Sequence, residues 1–254
     1  MPLGYRALMN WLFQLKPPWN SEHLIPGDDL TPDSGRAPLK LLRHPEGDLV
    51  LRPYRHGGLR RFILPKLFLG QTRARREFEI HKTVWESGIP TLEPVGWCAT
   101  SKVLPFLTHL GFLTRYESNL DSLTCALRNG ACHREWVAQC ADVLKTLFDR
   151  HIHHPDLNLN NWVLIDNQVA IIDFDGAQIK DEVPREFAIR CLARMARSGL
   201  KLGMVQHHRS FYRLLVVVCQ KMQLEPRSVL DGVAKRLPKN SFREIRWRVS
   251  GGRR

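Results

Sequence analysis

Polar side chains able to catalyse phosphoryl transfer follow one another between residues 154 and 173. His154, Asp156 and Asn161 have the spacing His-x-Asp-x-x-x-x-Asn, and Asp173 ends the apolar stretch that follows. Phosphoryl transfer needs a base beside the attacking hydroxyl and oxygen ligands that hold Mg²⁺ on the phosphates. The two carboxylates and the asparagine amide supply both needs. We therefore interpret this segment as catalytic rather than as a polar loop whose Asp and Asn residues only cap turns.

The elements on either side of this segment can position it. The apolar residues before it share one face of a predicted helix over 134–149, namely Trp136, Cys140, Val143, Leu144, Leu147 and Phe148. After it, two apolar strands at 162–165 and 168–174 are separated by Asp166-Asn167, which favours a type I′ hairpin turn. The helix leads into the loop and the loop into the hairpin. We therefore expect the side chains of Asp156, Asn161 and Asp173 to meet at one lip of the hairpin.

Strand patterns dominate the N-terminal half of the chain. Residues 39–43 and 48–54 form a predicted hairpin across a His-Pro-Glu-Gly turn, and 106–116 is apolar enough for a further strand. One helix is predicted over 72–87 and ends at Gly88-Ile89-Pro90. The order indicates a strand-rich part followed by a mostly helical part.

Further helices are predicted near both ends of the chain. An amphipathic stripe at the N-terminus consists of Tyr5, Leu8, Met9, Leu12 and Leu15. Such a helix docks on the protein body or lies on a membrane, and both remain open. Three helical stripes follow the hairpin: Phe187-Cys191-Met195, Phe211-Leu215-Val218-Met222 and Val229-Val233-Leu237.

The composition is that of a folded soluble protein. Of the 254 residues, 43% are apolar and 25% are charged, which excludes a disordered or fibrous chain. The longest apolar runs fall far short of the roughly 20 residues of a membrane-spanning helix, and we expect no secretory signal. Six cysteines without a Cys-x-x-Cys pair predict reduced thiols. Four tryptophans are expected in the core: Trp85, Trp97, Trp136 and Trp162.

The net charge of +13 is concentrated in two segments. Residues 52–76 contain eight basic residues and no acid, and residues 235–254 contain eight basic residues and one acid, Glu244. These segments predict an anionic partner, and the candidates are nucleic acid, a phosphorylated small molecule or an acidic membrane. For residues 235–254, a solvated basic face without a partner also stays open. In the first segment, Gly57-Gly58 fits a loop that grips phosphates or anionic sugars at least as well as a nucleic-acid patch. In the second, Trp247 between two arginines suits lipid headgroups or nucleic acid.

The same residues lie within a longer resemblance to a known family. Between Ser34 and Leu202 the chain resembles the bacterial lipopolysaccharide kinases of the eukaryotic-like kinase superfamily, above all the kinases of 3-deoxy-D-manno-octulosonic acid (Kdo). The matching blocks are Ser34-Gly35-Arg36, Leu51-Arg52-Pro53-Tyr54-Arg55-His56-Gly57-Gly58-Leu59, Arg75-Arg76-Glu77-Phe78, Gly88-Ile89-Pro90, Phe112-Leu113-Thr114, His154-Pro155-Asp156-Leu157-Asn158 and Ile172-Asp173-Phe174-Asp175. The Arg-x-Tyr-x-x-Gly-Gly-Leu block and the Asp-Leu-Asn and Asp-Phe-Asp variants distinguish these sugar kinases from protein kinases.

The resemblance implies a two-lobed, α+β, protein-kinase-like fold, with a small strand-rich N-lobe and a helical C-lobe. We expect four parts along the chain: an N-terminal amphipathic segment over 1–20, a nucleotide-binding N-lobe over 21–115, a catalytic C-lobe over 116–238 and a basic C-terminal tail over 239–254.

The resemblance also implies roles in the catalytic segment. Asp156 would be the base that faces the sugar hydroxyl, while Asn161 and Asp173 would hold Mg²⁺. His154 belongs to the same catalytic group, where we expect it to orient the loop.

ATP is the implied phosphoryl donor. Arg52 falls where protein kinases carry the strand lysine that contacts the α and β phosphates, and an arginine can make this contact with two donors. Glu77 falls where the helix partner of that lysine lies. Gly35 and Arg36, together with Ser34, would form the turn that covers the phosphates.

The chain departs from protein kinases at three points. Of the Gly-x-Gly-x-x-Gly pattern only Gly35 remains near the expected turn. Arg115 stands where an acid is common in the hinge that contacts adenine, and Asp175 replaces the glycine of Asp-Phe-Gly. The replacement of this glycine by Asp175 is typical of the lipopolysaccharide kinases.

The implied reaction is MgATP-dependent phosphorylation of a Kdo hydroxyl on a lipid A precursor. It would take place at the cytoplasmic face of a Gram-negative inner membrane, with the protein bound peripherally to the acidic membrane surface and no nucleic acid as partner. One alternative is a catalytically inactive kinase-like protein that recruits an anionic partner, which the intact Asp156, Asn161 and Asp173 disfavour. Another is a kinase of a heptose, an aminoglycoside or a choline-like molecule, and the basic surface disfavours the cationic substrates.

Overall fold

The computed structural model describes residues 11–30, 39–55, 67–104, 107–130 and 133–237. They divide into two compact units. The first contains the described residues up to Glu86 together with Leu92–Ser118, and the second contains Ser87–Thr91 and the described residues from Asn119 onwards. Strands dominate the first unit and helices the second, which gives the protein the α+β character that the resemblance implied.

A single antiparallel sheet organises the first unit. Its strands within the described residues are β1 (Leu12–Leu15), β2 (Ile25–Leu30), β3 (Leu39–Arg43), β4 (Leu49–Pro53), β5 (Phe68–Leu69), β6 (Pro94–Leu104) and β7 (Leu107–Arg115). The order across the sheet is β1-β6-β7-β4-β3-β2, and β5 also pairs with β7. The helix α1 (Thr72–Glu86) lies against β6 and β7.

The predicted hairpin is confirmed as the antiparallel pair of β3 and β4. Side chains alternate along β4, as the twofold period of a strand requires. Leu49 and Leu51 are buried in one apolar cluster, whereas Arg52 lies opposite Phe112 of β7 and shares its face of the sheet. Phe112 belongs to the second apolar cluster, which includes Ala74 of α1. The strand period thus directs the Arg52 side chain to the face that α1 covers.

The predicted N-terminal helix is wrong where the structure describes it. Leu12–Leu15 is a strand, and it pairs with β6 in an antiparallel register that sets Leu15 opposite Gly96. Phe13 and Leu15 pack against the core, while Leu12 is 68% exposed. The sequence satisfies both an alternating and a helical apolar pattern here. Pairing with β6 decides between them because it satisfies backbone groups that a short helix would leave unpaired.

Three further strands of this sheet were not predicted, namely β2, β5 and β6. β2 contains the turn-forming sequence Pro26-Gly27-Asp28-Asp29, and its register with β3 shifts between Pro26 and Asp29. An edge strand tolerates proline and an irregular register, so this segment can pair despite its composition. β6 is the longest strand described, but its polar residues interrupt the apolar run that would reveal it.

The second unit combines helices with short strands. Its helices are α2 (Leu123–Arg128), α3 (Arg134–Asp149), α4 (Pro184–Lys201), α5 (His208–Lys221) and α6 (Pro226–Lys235). The strands are β8 (Leu120–Ser122), β9 (Ile152–His153), β10 (Trp162–Ile165), β11 (Gln168–Ile171) and β12 (Gln178–Ile179). The order β11-β10-β8 forms one small sheet, and β12 pairs with β9. The helices predicted at 134–149 and from the three later stripes are confirmed.

The predicted hairpin turn is also confirmed. Asp166 and Asn167, which join β10 to β11, have φ values of 48° and 65°, as a type I′ turn requires at both central positions. The α3 helix holds this hairpin at two points. Trp136 donates its indole N–H to Asn167 Oδ1 at 3.2 Å, and Gln139 Oε1 accepts from the Val169 amide at 2.8 Å. The strand that leads to Asp173 is therefore fixed to the core of this unit.

Three of the four tryptophans expected in the core are buried: Trp97, Trp136 and Trp162. The expectation is wrong for Trp85, which is 41% exposed. The buried residues of α1 end at Val84, so position 85 falls beside that stripe rather than on it. The Lys16 ammonium lies 4.2 Å from the centre of the Trp85 ring instead.

The described cysteines are all free thiols, as predicted. Cys98, Cys140, Cys191 and Cys219 are buried, and Cys125 is exposed. Burial raises the pKa of Cys191 to about 12, so this thiol stays protonated and packs as a small apolar group. Among the described helices, none has the length and apolarity needed to cross a membrane.

Candidate active site

His154 fixes the start of the catalytic loop from inside the protein. Its side chain is fully buried, with Nδ1 3.1 Å from the Asp156 amide and Nε2 3.3 Å from the Ile172 carbonyl oxygen. Burial lowers the pKa of His154 to about 4, so the ring is neutral at physiological pH. A neutral ring has one acceptor and one donor nitrogen. Nδ1 therefore accepts from Asp156 and Nε2 donates to Ile172, which joins the loop to the chain that follows the hairpin.

Asp156 presents an oriented and accessible carboxylate. Asn158 Nδ2 donates to its Oδ2 at 2.7 Å, and Arg194 Nη1 donates to its Oδ1 at 2.9 Å. The side chain is still 49% exposed. Because each carboxylate oxygen can accept a second hydrogen bond, Asp156 can also accept the proton of a bound hydroxyl.

Asn161 and Asp173 are brought together by backbone contacts. Asn161 is buried, and its side-chain Nδ2 donates to the backbone oxygen of Asp156 at 2.8 Å. The Ile172 amide donates to the Asn161 backbone oxygen at 2.9 Å, so Asp173 follows directly on the residue bonded to Asn161. Asp173 has φ of 69°, a left-handed conformation that costs free energy for a non-glycine residue and is concentrated at functional sites.

These two residues suit Mg²⁺ as a ligand pair. The hydrogen bond from Asn161 Nδ2 fixes which way the amide points, so its oxygen faces away from the Asp156 carbonyl. An amide oxygen and a carboxylate are the hard donors that Mg²⁺ takes when its other ligands are water and phosphate oxygens. Asn161 and Asp173 would hold the ion, and the ion would neutralise charge on the phosphates.

The α4 helix anchors the loop at three points through side chains that sequence reasoning missed. Arg190 Nη1 donates to the His154 carbonyl oxygen at 3.1 Å, Arg194 pairs with Asp156, and Ser198 Oγ accepts from the Leu159 amide at 3.0 Å. Their spacing of four residues puts all three on one face of a helix. A polar stripe at that spacing, running alongside the buried apolar stripe of the helix, is the sequence signal that could have revealed them.

Arg190 is itself held by Glu182. Its Nε and Nη2 donate to the two carboxylate oxygens of Glu182 at 3.2 and 2.8 Å. Burial opposes the ionisation of Glu182, but the hydrogen bonds and positive charge of Arg190 outweigh it, and the pKa of Glu182 lies below its ordinary value. The pair is therefore ionised and gives the His154 end of the loop a rigid support.

In the first unit, Arg52 and Glu77 form an ion pair between β4 and α1. Arg52 Nη2 donates to Glu77 Oε1, and Tyr54 donates its hydroxyl to Glu77 Oε2. Glu77 is almost completely buried, whereas the Arg52 side chain is 32% exposed. The Tyr54 ring also lies 5.1 Å from the guanidinium carbon of Arg52. The glutamate and the tyrosine thus fix the orientation of an arginine side chain that stays partly exposed.

Several predicted site residues lie outside the described residues. These are Ser34, Gly35 and Arg36 of the expected phosphate-covering turn, the Gly57-Gly58 pair, Trp247 and the basic tail. Within the described part, the structure brings His154, Asp156, Asn161 and Asp173 into one loop and hairpin, and it pairs Arg52 with Glu77. Their roles toward nucleotide and metal stay predictions.

Comparison with known proteins identifies the family. The model of the lipopolysaccharide kinase (Kdo/WaaP) family matches residues 33–213, which include every one of the catalytic and nucleotide-contacting candidates. The chain belongs to this family. The sequence-based resemblance is therefore confirmed, and the protein is a phosphotransferase that acts on a hydroxyl group in lipopolysaccharide biosynthesis.

Curated relatives carry a more specific name. A 3-deoxy-D-manno-octulosonic acid kinase of Xylella fastidiosa strain M12 is 26% identical over 192 residues, which cover 73% of this chain and 74% of the relative. One of Vibrio parahaemolyticus is 28% identical over 189 residues, which cover 72% and 76%. One of Mannheimia succiniciproducens is 31% identical over 135 residues, about half of each chain.

A solved structure supports the fold. WaaP, in complex with acyl carrier protein, superposes with a TM-score of 0.59 at 18% identity and covers 92% of this chain and 98% of that one. The expected protein-kinase-like α+β fold is confirmed. At this identity the likeness concerns the fold and leaves the acceptor open.

Proposed function

We propose that this family member uses MgATP to phosphorylate a hydroxyl of Kdo on a lipid A precursor. The observation that carries the chemistry is the single loop and hairpin that bring Asp156, Asn161 and Asp173 together. Family membership supports a lipopolysaccharide acceptor, and the names of the curated relatives support Kdo in particular.

In the proposed reaction, the acceptor hydroxyl hydrogen-bonds to the Asp156 carboxylate. Its oxygen forms a bond to the γ-phosphorus of ATP while the bond from that phosphorus to the bridging oxygen breaks, and ADP leaves. The hydroxyl proton passes to Asp156. Because the hydrogen bonds from Asn158 and Arg194 fix the carboxylate before substrate arrives, little reorganisation is needed.

The other residues act on the donor. Asn161 and Asp173 would hold the Mg²⁺ that neutralises the phosphates. Arg52, whose orientation Glu77 and Tyr54 fix, would contact the phosphates. Gly35 and Arg36 would cover the phosphates, as the resemblance implies.

The protein would work at the cytoplasmic face of the inner membrane as a peripheral protein. A lipid A precursor is anchored in a bilayer, so a kinase that acts on it must reach the membrane surface. The basic residues of 52–76 and 235–254 support binding to anionic lipid and to an anionic glycolipid. Nucleic acid is not expected as a partner.

The decisive experiment measures ADP release with a panel of acceptors. The panel contains lipid A precursors with and without Kdo, heptose-bearing cores and aminoglycosides, and mass spectrometry locates the new phosphate. We expect turnover only when Kdo is present, with the phosphate on Kdo. Turnover of a heptose-bearing core with phosphate on the heptose would replace the proposed acceptor, and ADP release without any acceptor dependence would contradict the sugar kinase assignment.

A further inference from the structure

Arg190 and Arg194, two arginines of α4 beside the catalytic loop, make different kinds of contact. Arg190 donates hydrogen bonds to Glu182 and to the His154 carbonyl oxygen, and its side chain is only 20% exposed. Arg194, one helical turn further along α4, has Asp156 as its one partner among the described residues, and its side chain is 42% exposed. An arginine carries five N–H donors. Arg190 is therefore a structural support, whereas Arg194 is partly exposed beside the candidate base and has donors beyond the one that contacts it.

Within the described residues, Arg194 is the cation that contacts the candidate base. The loop from His151 to Asn161 contains no lysine or arginine of its own. A general base must lie within hydrogen-bond distance of the hydroxyl it deprotonates. Because Arg194 Nη1 is 2.9 Å from Asp156 Oδ1, a hydroxyl bound to that same oxygen lies within roughly 6 Å of Arg194 Nη1.

This juxtaposition suits an acceptor that carries a negative charge. A carboxylate on the acceptor would be repelled by the Asp156 carboxylate unless a cation stood between or beside them. Arg194 removes that repulsion, and its planar donor edge can bind a carboxylate with two hydrogen bonds. A neutral sugar would need no such cation at the base.

We infer that Arg194 binds an anionic group of the acceptor, next to the hydroxyl that is phosphorylated, and so selects an acidic sugar. The inference rests on the proposed function, since Kdo is a sugar acid and its carboxylate is the group that Arg194 would bind. Arg194 thereby acts as a specificity-determining residue as well as holding Asp156.

The test compares two acceptors with two variants. The acceptors are a Kdo-bearing lipid A precursor and the same molecule with the Kdo carboxylate converted to a neutral carboxamide. The variants are Arg194→Gln and Arg194→Lys. Arg197→Gln is the matched control, because Arg197 is an exposed arginine of the same helix whose side chain bonds only the Ala193 carbonyl oxygen among the described residues.

For the wild type and for Arg197→Gln, we expect the carboxamide to lower kcat/KM by about tenfold or more, as for the loss of a hydrogen bond between charged groups. In Arg194→Gln this preference should fall below about twofold, and Arg194→Lys should retain an intermediate preference. A loss of kcat that is equal for both acceptors would reflect only the support of Asp156. Thermal unfolding checks that each variant is folded.

Three results would overturn the inference. The wild type could use both acceptors equally, or Arg194→Gln could keep the wild-type preference. A third is that Arg194→Gln raises the KM for ATP while the preference is unchanged, which would assign the Arg194 donors to the transferred phosphoryl group. Failure of the wild type to phosphorylate either acceptor would be a different outcome, because it removes the proposed function itself.

Discussion

At the scale of single residues, the candidate site is defined by hydrogen bonds that fix each functional group before substrate binds. The Asp156 carboxylate is held on both oxygens, and the Asn161 amide is held through its nitrogen. His154 contributes from a buried position, so it orients the loop and cannot touch a substrate. Preorganisation of this kind stabilises a transition state because the groups need not reorient during the reaction.

Replacing Asp156 tests the assignment of the base. In Asp156→Asn we expect turnover to fall by about 10²-fold or more, since an amide cannot accept the hydroxyl proton. ATP binding, measured by calorimetry, should be close to that of the wild type because the base acts on the acceptor. Asp181→Asn is the control, as that aspartate is 95% exposed and bonded to His151. Retention of more than about a tenth of the wild-type rate in Asp156→Asn would contradict the assignment.

The buried His154 predicts a dependence of stability on acid. Its folded-state pKa of about 4 lies below the ordinary value of 6.5. Between these pH values, the His154 ring therefore binds more protons in the unfolded chain than in the folded protein. The contribution of His154 to the free energy of unfolding is fully present above about pH 6.5 and is lost as the pH falls toward 4. It amounts to about 3 kcal/mol at most. Urea unfolding at several pH values measures it.

Two histidine variants isolate that contribution. His154→Gln should be less stable than the wild type at pH 7, but its free energy of unfolding should fall less steeply between pH 6.5 and 4. His23→Gln changes an exposed histidine of the other unit and should keep the wild-type slope. Equal slopes in the wild type and His154→Gln would show that the His154 ring is not the titrating group.

At the scale of secondary structure elements, helices position the functional groups that strands and loops carry. The α4 helix supports the catalytic loop through one polar face, and α1 supports Arg52 of β4 through Glu77. In both cases a buried or half-buried charged group on a helix fixes a group on a neighbouring segment. Substitutions that loosen such contacts are expected to change catalysis without removing a catalytic residue.

The ion pair between β4 and α1 predicts a role for Arg52 in ATP saturation. Arg52→Ala should raise the apparent KM for ATP by about tenfold or more, because a charge-assisted contact to phosphate is lost. Arg52→Lys should restore only part of it, since one ammonium cannot reproduce two parallel donors. Arg43→Ala, which removes an exposed arginine from the adjacent strand, is the control. Unchanged ATP saturation in Arg52→Ala would move the phosphate contact to another residue.

The pairing of β1 with β6 can be tested at Gly96. A Cβ atom at this position would lie 2.2 Å from the Gln14 carbonyl oxygen and 2.8 Å from Leu15 Cδ2. Gly96→Ala should therefore separate the two strands and lower the free energy of unfolding by about 1 to 3 kcal/mol. Gly199→Ala is the control, since a Cβ there would meet only Leu159 Cδ1 at 3.6 Å. Equal stability of Gly96→Ala and wild type would contradict the strand that replaces the predicted N-terminal helix.

At the scale of the whole molecule, charge is distributed unevenly along a chain with a net charge of +13. The acidic residues fall mainly outside the two basic segments, so we expect attraction to an anionic partner to come from those segments. Each basic residue close to an acidic bilayer contributes about 1 kcal/mol to binding. Several together would be enough for the reversible membrane attachment that we propose.

Vesicle binding tests this part of the proposal. We expect the protein to sediment with vesicles that contain acidic lipid and to be released as salt rises from low to physiological concentration, where charges are screened beyond about 8 Å. Deletion of residues 243–254 should weaken binding while activity on a detergent-dispersed acceptor persists. A tail of the same composition in scrambled order should bind as the wild type does. Equal binding to neutral and acidic vesicles, or to neither, would contradict an electrostatic attachment.

The sequence alone determined the helix before the candidate catalytic segment and the hairpin after it. The helix over 134–149, the type I′ turn at Asp166-Asn167 and the later helices have local signals: apolar spacing and residues that tolerate positive φ. The spacing of Asp156, Asn161 and Asp173 is local as well, and the few residues between them leave little freedom for the loop. Local signals of this kind do not need the rest of the chain to be interpreted.

Only the tertiary structure decided features that depend on residues distant in the sequence. Leu12–Leu15 is a strand because β6 offers it an edge more than eighty residues later, and the same apolar spacing would also fit a helix. The pairing of Arg194 with Asp156 spans 38 positions, and the sequence of α4 reveals only a polar stripe without showing what it faces. Apolar periodicity predicts which side of an element is buried, whereas the partner that buries it is chosen by packing across the whole fold.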